Sequence, residues 1–452
     1  MPQFRRLAIG AVALSSAAVT GLVPAASGAT SAQGAVTTSA RLPQPLAAVR
    51  AAQWLARQFT PQGYIPLQPG PGADLSSTAQ SILALSAANV GLTQARTALA
   101  YLKAHVEQYV SAGGADGPGQ LALLILDAVA LGENPRSFGG TDLVTRLLAT
   151  EQKSGPDAGL FGTDAQAVGY SAGSYQQGLA LAALAAAGIR SKSQVGAAIT
   201  WLVGEQCPDG GWTTPDNPNN ACTGTPAAFA GPDTNSTALA VEGLAAQGAI
   251  TPAVSAGALT FLTGGQDPDG GWSYYPNTTT TPGSTDPDST ALVIQGLLAL
   301  QKSPTGVLFT KGASTPVSAL LSYQLTSGNG AGAFFFPPAP SPADTIATYQ
   351  AIPALAGLTF PFGPSGSGYW EVASDGGIFT YGEAGYYGSH GATPLNQPIV
   401  GIAATPDGKG YWEVASDGGI FTYGDAGYYG SHGATPLNQP IVGIAASTGR
   451  SI

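Results

Sequence analysis

The chain repeats itself, and no other feature of the sequence constrains its fold as strongly. Trp201-Leu-Val-Gly-Glu-Gln-Cys-Pro-Asp-Gly-Gly-Trp212 is matched by Phe261-Leu-Thr-Gly-Gly-Gln-Asp-Pro-Asp-Gly-Gly-Trp272. Gln206 and Gln266, Asp209 and Asp269, and Trp212 and Trp272 therefore recur at a spacing of sixty. Weaker copies run from Gln152 to Phe161, from Gln58 to Tyr64 and from Gln324 to Phe334.

An Ala- and Leu-rich run with a polar opening follows each copy. Asp286-Pro-Asp288-Ser-Thr-Ala291 precedes 292–300, Asp233-Thr-Asn-Ser-Thr-Ala238 precedes 239–246, and Asp74-Leu-Ser-Ser-Thr-Ala79 precedes 82–85. Asp116, Ser171 and Asp344 open the runs 121–131, 179–187 and 347–355. Side-chain oxygens in such places accept hydrogen bonds from the free N–H groups of a helix, and an acid there also complements the dipole. Gly188 and Gly248 supply stops. The expectation is a mainly α protein: six helix–turn–helix units over residues 47–357, closing into an α/α toroid of inner and outer helices.

Before the repeats, Arg5 and Arg6 lead into an apolar stretch from Leu7 to Val23, with small residues up to Ala29. That is the pattern of a signal peptide over 1–29, with 30–46 as a flexible lead-in, and it predicts a secreted or cell-surface protein. No later segment is long and apolar enough to span a bilayer. Cys207 and Cys222 lie fifteen apart in a loop rich in Pro, Asn, Thr and Gly. In an oxidising compartment they are expected to form a disulfide, and the rival metal site lacks a nearby His or third Cys.

Charged residues make up 9% of the chain and the net charge is −10, which argues against nucleic acid as a partner. With two Cys, one Met and three His, no haem, iron–sulfur cluster or Cys-rich zinc module is expected, and no cofactor or metal is assigned.

The Gln-x-x-Asp-Gly-Gly-Trp turns and the Asp-x-[Asp/Asn]-Ser-Thr-Ala helix starts resemble the repeat of terpenoid cyclases and protein prenyltransferase β-subunits. The resemblance covers about 310 residues and implies an α/α toroid around a central cavity. It also implies a site. Cyclases of the squalene and hopene type protonate an alkene with the middle acid of Asp-x-Asp-Asp-Thr-Ala, a position matched here by Asp288, with Asp286 as its helper. Ser289 replaces the third acid. The first Asp recurs at 74, 116, 233, 286 and 344, as a helix cap should, and only Asp288 is special to one repeat. The zinc of prenyltransferases needs Asp, Cys and His together, yet the toroid's one His is His105, in a helix expected over 101–110.

Asp209 and Asp269 sit in Asp-Gly-Gly turns, where Asp bonds its own backbone. Trp212 and Trp272 are expected to pack on the adjacent repeat, and with Gln206 and Gln266 they form the structural set. Tyr170, Tyr175, Phe229, Tyr274 and Tyr275 lie in loops or at helix starts and are candidates for lining a ligand cavity.

A linker over 358–367 precedes a second repeat, in which 368–404 returns as 410–446 with Glu383 changed to Asp425. Each copy has four β-like runs, the first at 369–374, 378–381, 385–389 and 399–403, which is the pattern of a propeller blade. The Tyr-Trp-x-Val-Ala-Ser-Asp-Gly-Gly motif resembles one found in exported actinobacterial proteins. Two blades cannot close a propeller, and the second breaks off after Ala446. A truncated array is therefore expected over 368–452, with a cell-envelope partner for the pair as the alternative.

Three functions stay open at this level. The leading one is an exported, non-enzymatic binding or scaffold protein whose toroid cavity holds a small apolar ligand. The others are a class II terpenoid cyclase relative acting through Asp288 and Asp286, and a purely structural cell-surface module.

Overall fold

The Ala- and Leu-rich runs become helices in a computed structural model, thirteen among the described residues. It describes residues 45–446 apart from 68–69, 113–114, 163–171, 214–221, 225–230, 277–284, 339–341, 363–367, 383, 385, 392, 406–409 and 434. The signal peptide and nearly all of the lead-in lie outside the described residues. Two units are separable, 1–364 and 365–452.

In chain order the helices of the first unit are α1 (Pro45–Ala56), α2 (Leu75–Ala88), α3 (Leu92–Ala104), α4 (Val106–Val110), α5 (Pro118–Ala130), α6 (Leu143–Ala149) and α7 (Ser174–Ala186). They continue with α8 (Lys192–Gly204), α9 (Thr234–Ala246), α10 (Pro252–Gly264), α11 (Pro287–Ala299), α12 (Pro316–Leu321) and α13 (Thr345–Ala356). Contacts among them run α2 to α5, α5 to α7, α7 to α9, α9 to α11, α11 to α13, and α13 back to α2, which closes a ring of six. The other helices stand outside it: α3, α6, α8, α10 and α12 each against the inner helix before them, and α1 against α13 and α2.

The two sets differ in how they bury themselves. Inner helices are enclosed on all sides: α9 is buried without a break from Thr234 to Leu244, and α11 from Pro287 to Leu297. Outer α8 buries only Val195, Ala198, Trp201 and Leu202, a single stripe of a 3.6-residue period. Small residues let the inner helices touch. A Cβ on Gly178 of α7 would sit 2.1 Å from the carbonyl oxygen of Leu239 in α9.

The repeated turns tie neighbouring units. Gly210 has φ 95°, and a Cβ there would lie 2.0 Å from the Gly257 carbonyl oxygen, so only glycine fits. Gln206 Nε2 donates to Gly210 O in its own turn and to Val254 O in the next outer helix, at 2.9 and 3.1 Å. Gln266 does the same for Gly270 O and Phe309 O, both at 2.8 Å. Gln324 in the last repeat reaches Gly332 O and, at 3.0 Å, Ala47 O in α1, and so joins the chain's end to its start. Trp212 and Trp272 are fully buried, and their indole N–H groups donate to Leu202 O and Leu262 O.

Short ladders lead into some inner helices: β1 (Ile65–Pro66) with β2 (Ala73–Asp74), β3 (Ser111–Ala112) with β4 (Ala115–Asp116), and β5 (Phe334–Phe335) with β6 (Ala343–Asp344). One expected helix is interrupted. His105 ends α3 and precedes α4, with its ring stacked on Tyr101 at 4.0 Å and Nδ1 2.7 Å from Tyr101 O. After α13 the chain stays on the ring, because Phe360 and Phe362 pack into its apolar core.

The second unit holds β7 (Gly368–Val372), β8 (Ile378–Gly382), β9 (Ile399–Ala404), β10 (Gly410–Ala415) and β11 (Ile420–Gly424). They form an antiparallel pair β7-β8 and an antiparallel sheet β11-β10-β9. Four-stranded blades are therefore not what the described residues form. The expected strand at 385–389 is absent over 386–389, where the backbone serves another bond: Tyr387 N donates to Tyr411 Oη and Tyr411 Oη donates to Gly388 O. The run 399–403 does become a strand, but it pairs with the next repeat rather than its own.

Candidate functional site at the ring axis

Four inner helices begin with the same device. The Asp74, Asp233, Asp286 and Asp344 carboxylates accept from the backbone N–H of Ser77, Ser236, Ser289 and Ala347 at 2.9, 2.7, 2.7 and 2.9 Å. Ser289, which replaces the third acid of the cyclase motif, adds its hydroxyl to Asp286 Oδ2 at 3.0 Å. Asp116 departs from the expected pattern. Gly117 caps α5, while Asp116 pairs with Arg146, whose hydrogen bonds hold the carboxyl below its ordinary range. A nearby guanidinium outcompetes a helix end for that carboxylate. The sixth inner helix, α7, starts after Gly173, and Ser171 lies outside the described residues.

Asp288 stands in the first turn of α11, two residues after the cap, and caps nothing. It is 7% exposed, and its Oδ1 has no hydrogen-bond partner among the described residues. Burial raises its carboxyl well above the usual range, and the charges of Asp286 and Asp344 add to the shift. Asp286 is raised too, again by burial, but Ser289 pulls it back. The two acids thus differ in what surrounds them: hydrogen bonds from Ser289 favour the charged form of Asp286, and nothing comparable offsets the burial of Asp288.

Two tyrosines complete the site. Tyr175 opens α7 and Tyr349 lies in α13, and in a ring of six these helices are opposite each other. The Tyr175 phenol nevertheless contributes to the upward shift of Tyr349 across the ring. Burial pushes both phenols up, with help from Asp288 in each case. Gln80 of α2 donates from Nε2 to Tyr349 Oη at 3.0 Å. Tyr175, Tyr349, Gln80 and Asp288 are thus linked by one hydrogen bond and by their mutual electrostatics, on inner helices α7, α13, α2 and α11.

Of the other candidates, Tyr274 and Tyr275 are half-buried in the loop before α11, with rings edge-to-face at 4.8 Å. Tyr274 O accepts from Thr234 N at 2.9 Å, which ties that loop to the start of α9. Tyr170 and Phe229 lie outside the described residues. Asp209 and Asp269 accept from the N–H groups of Gly211 and Gly271 within their own turns, at 3.0 and 3.1 Å. Asp269 also takes the hydroxyl of Thr285, which it shares with Asp267. Cys207 and Cys222 are joined as a disulfide. Among the described residues no group of three or more His, Cys, Asp or Glu side chains is placed to hold a metal.

Two inner-helix acids were missed by the sequence reading. Glu242 of α9 is fully buried, and its Oε2 accepts from Thr359 Oγ1 and Phe360 N, both at 2.8 Å. Asp127 of α5 is fully buried with no hydrogen-bond partner on either oxygen. A signal for Glu242 was available: it lies seven residues after Asn235, just as Gln295 lies seven after Asp288. Seven residues is two helical turns, so each pair shares one face. A lone acid in an Ala/Leu-rich inner helix was the other clue.

Comparison with known proteins agrees with the ring. Residues 135–285 match the squalene-hopene cyclase C-terminal domain, a match that ends immediately before Asp286. No curated protein matches the sequence. Among solved structures, UGL in complex with dGlcA-Glc-Rha-Glc has a TM-score of 0.50 at 15% identity, covering 70% of this chain and 98% of that one. The type II terpene cyclase MstE from Scytonema, bound to geranylgeranyl dihydroxybenzoate, has a TM-score of 0.47 at 15% identity, covering 70% and 97%. The ent-copalyl diphosphate synthase from Streptomyces platensis has a TM-score of 0.40 at 16% identity, covering 62% of this chain and 49% of the synthase. The chain thus spans about half the length of that synthase. At such identities the likeness concerns fold alone: a helical toroid in the first unit, with small antiparallel sheets in the C-terminal unit.

Proposed function

We propose that this is an exported, non-enzymatic binding protein whose toroid receives a small ligand, apolar in body, with one polar group held at the ring axis. The observation that carries this function is Asp288 Oδ1, a buried oxygen without a partner among the described residues, on a carboxyl that burial pushes well above its usual range. A buried polar group in that condition is costly unless something completes its hydrogen bonding. A hydroxyl or carbonyl on a ligand does so. Tyr175 opens α7 with Leu179 one turn further along it, and Leu239 and Leu292 stand one turn after Asn235 in α9 and Asp288 in α11, which gives the ligand's body apolar neighbours. The disulfide between Cys207 and Cys222 accords with an oxidising, extracytoplasmic setting.

The same carboxyl favours a second function, that of a class II terpenoid cyclase relative with Asp288 as proton donor and Asp286 as its helper. A neutral acid with a free oxygen is what protonation of an alkene requires. Against it stand the missing third acid and a domain match that stops before the motif.

Native mass spectrometry with solvent extraction, on the full chain expressed with export, separates these functions. A discrete bound lipid or terpenoid without turnover supports the binding protein. Turnover of a polyprenyl substrate that is lost in Asp288→Asn supports the cyclase. An empty ring in every preparation leaves a structural module of the cell surface, with the C-terminal repeats as its means of attachment.

A further inference from the structure

Glu413, in the middle of β10, is 0% exposed, and neither of its carboxyl oxygens has a hydrogen-bond partner among the described residues. Glu371, at the same place in β7 of the first repeat, is exposed. Both stand in Tyr-Trp-Glu-Val-Ala, so the difference lies in what packs on each strand.

What seals Glu413 is the first repeat. Its turn at Gly376 closes over the carboxyl, where an added Cβ would lie 3.3 Å from Glu413 Oε2 and 2.7 Å from the Cβ of His390. On either side β9 and β11 set Ile402 and Phe421 opposite Glu413. The loop 386–390 is fastened at two tyrosines. Tyr387 N donates to Tyr411 Oη at 3.2 Å, and that hydroxyl donates on to Gly388 O at 2.6 Å. His390 lays its ring on Phe421 at 4.2 Å and brings Nδ1 to 2.6 Å from Tyr423 Oη.

The titratable groups around this carboxyl come from every element packed on it except β9, which has none. Asp375 belongs to the covering turn, Tyr386 and His390 to the covering loop, Tyr411 to β10 itself and Tyr423 to β11. Burial raises the Glu413 carboxyl to about 7, and the like charge of Asp375 adds to the shift. Burial likewise pushes the Tyr411 and Tyr423 phenols up, and the charge of Glu413 adds to both.

A neutral carboxyl can stay in such a seam at modest cost. A carboxylate there loses water and gains neither a donor nor a cation among the described residues, which is far more costly. Once ionised it must reach water, and the turn and loop of the first repeat stand in the way. We propose that the seam is a pH-operated joint between the repeats: the turn at Gly376 and the loop 386–390 lock onto β10 and β11 while Glu413 is protonated, and lift when it ionises. The carboxyl is raised only in the closed form. Closure is therefore favoured most below the ordinary value of about 4.5 and weakens as pH rises through about 7.

Hydrogen exchange of the full chain, read by mass spectrometry and corrected for the intrinsic rate at each pH, tests the proposal. Peptides spanning 386–390 are the reporter, because the Tyr387 N–H is bonded across the joint to Tyr411. Their protection is expected to fall about tenfold or more between about pH 5 and pH 8. Glu413→Gln, which keeps the size and removes the charge, is expected to hold the acid value at both. Asp375→Asn keeps an oxygen for Gly377 N and removes the like charge, so the fall should move to lower pH. That second variant decides the matter if the first does not fold. Equal protection at the two pH values in wild type overturns the proposal. So does a fall that Asp375→Asn leaves unmoved, or one that survives in Glu413→Gln and disappears in His390→Gln, which assigns the switch to the histidine.

Discussion

The Glu242 carboxyl accepts from Thr359, 117 residues away, and from the next N–H along, so one acid in the wall of the ring holds the segment that leaves its last helix. Burial raises that carboxyl to about 7, against an ordinary 4.5, although the two donors pull it down. An acid raised in the folded state stabilises the fold most below its unfolded value, and that contribution is lost as pH rises through the folded one. Unfolding free energy is therefore expected to fall between about pH 4.5 and pH 7, by on the order of 3 kcal/mol from this group. Glu242→Gln keeps an oxygen for both donors and removes the titration. Urea melts at the two ends of that range should show the variant equal to wild type in acid and more stable at neutral pH.

Ring closure makes a separate prediction. Gln266 and Gln324 make equivalent bridges, but Gln266 is buried and Gln324 only half-buried. Gln266→Ala leaves two buried carbonyls short of a donor and is expected to cost about 1–3 kcal/mol. Water can replace the amide at Gln324, so Gln324→Ala should cost less, about 1 kcal/mol. The two variants compared in one chemical denaturation series would check the order. A larger loss at Gln324 would mean that the tie to Ala47 carries the closure of the whole ring.

The fold was legible in the sequence because each repeat spells out its parts: Gln and Gly-Gly for the turn, Asp for the cap, Ala and Leu for the inner helix. Four Asp residues cap helices as that pattern implies, while Asp116 does not, because Arg146 comes from another helix and no local pattern announces it. The site was legible only at Asp288. Tyr349 was passed over because its electrostatic link to Tyr175 depends on the ring being closed, which sets α7 opposite α13. The C-terminal strands were misread for a related reason. Period and composition locate β-like runs, but whether 399–403 and 441–445 pair depends on whether another repeat follows them in space.

Asp127 tests how much unpaired polarity this core tolerates. It is enclosed in α5 with no hydrogen-bond partner on either oxygen, and burial alone drives its carboxyl well above the usual range. Asp127→Leu, similar in size and without the polar cost, is expected to stabilise the ring by about 1–3 kcal/mol at neutral pH. The gain should shrink in acid, where the native carboxyl and its unfolded counterpart are both protonated. Thermal melts at acid and neutral pH would measure it. Destabilisation by Asp127→Leu would instead assign the carboxyl a partner that binds from outside the chain.

Asp288→Asn is the variant on which the proposed function turns. Asparagine matches the shape of the neutral acid and can still donate a hydrogen bond through its amide, but it cannot give up a proton. If Asp288 only binds, ligand retention should fall modestly, by about tenfold or less, which corresponds to about 1.4 kcal/mol. If it protonates, turnover should vanish while the ligand stays bound, since the loss then falls on the transition state. Asp286→Asn supplies the contrast. It keeps an oxygen for Ser289 N but removes the neighbouring charge that helps keep Asp288 protonated. In that variant the Asp288 carboxyl is expected to ionise at lower pH, and ligand retention measured against pH should decline earlier than in wild type. An unchanged pH profile would place the ligand away from Asp288.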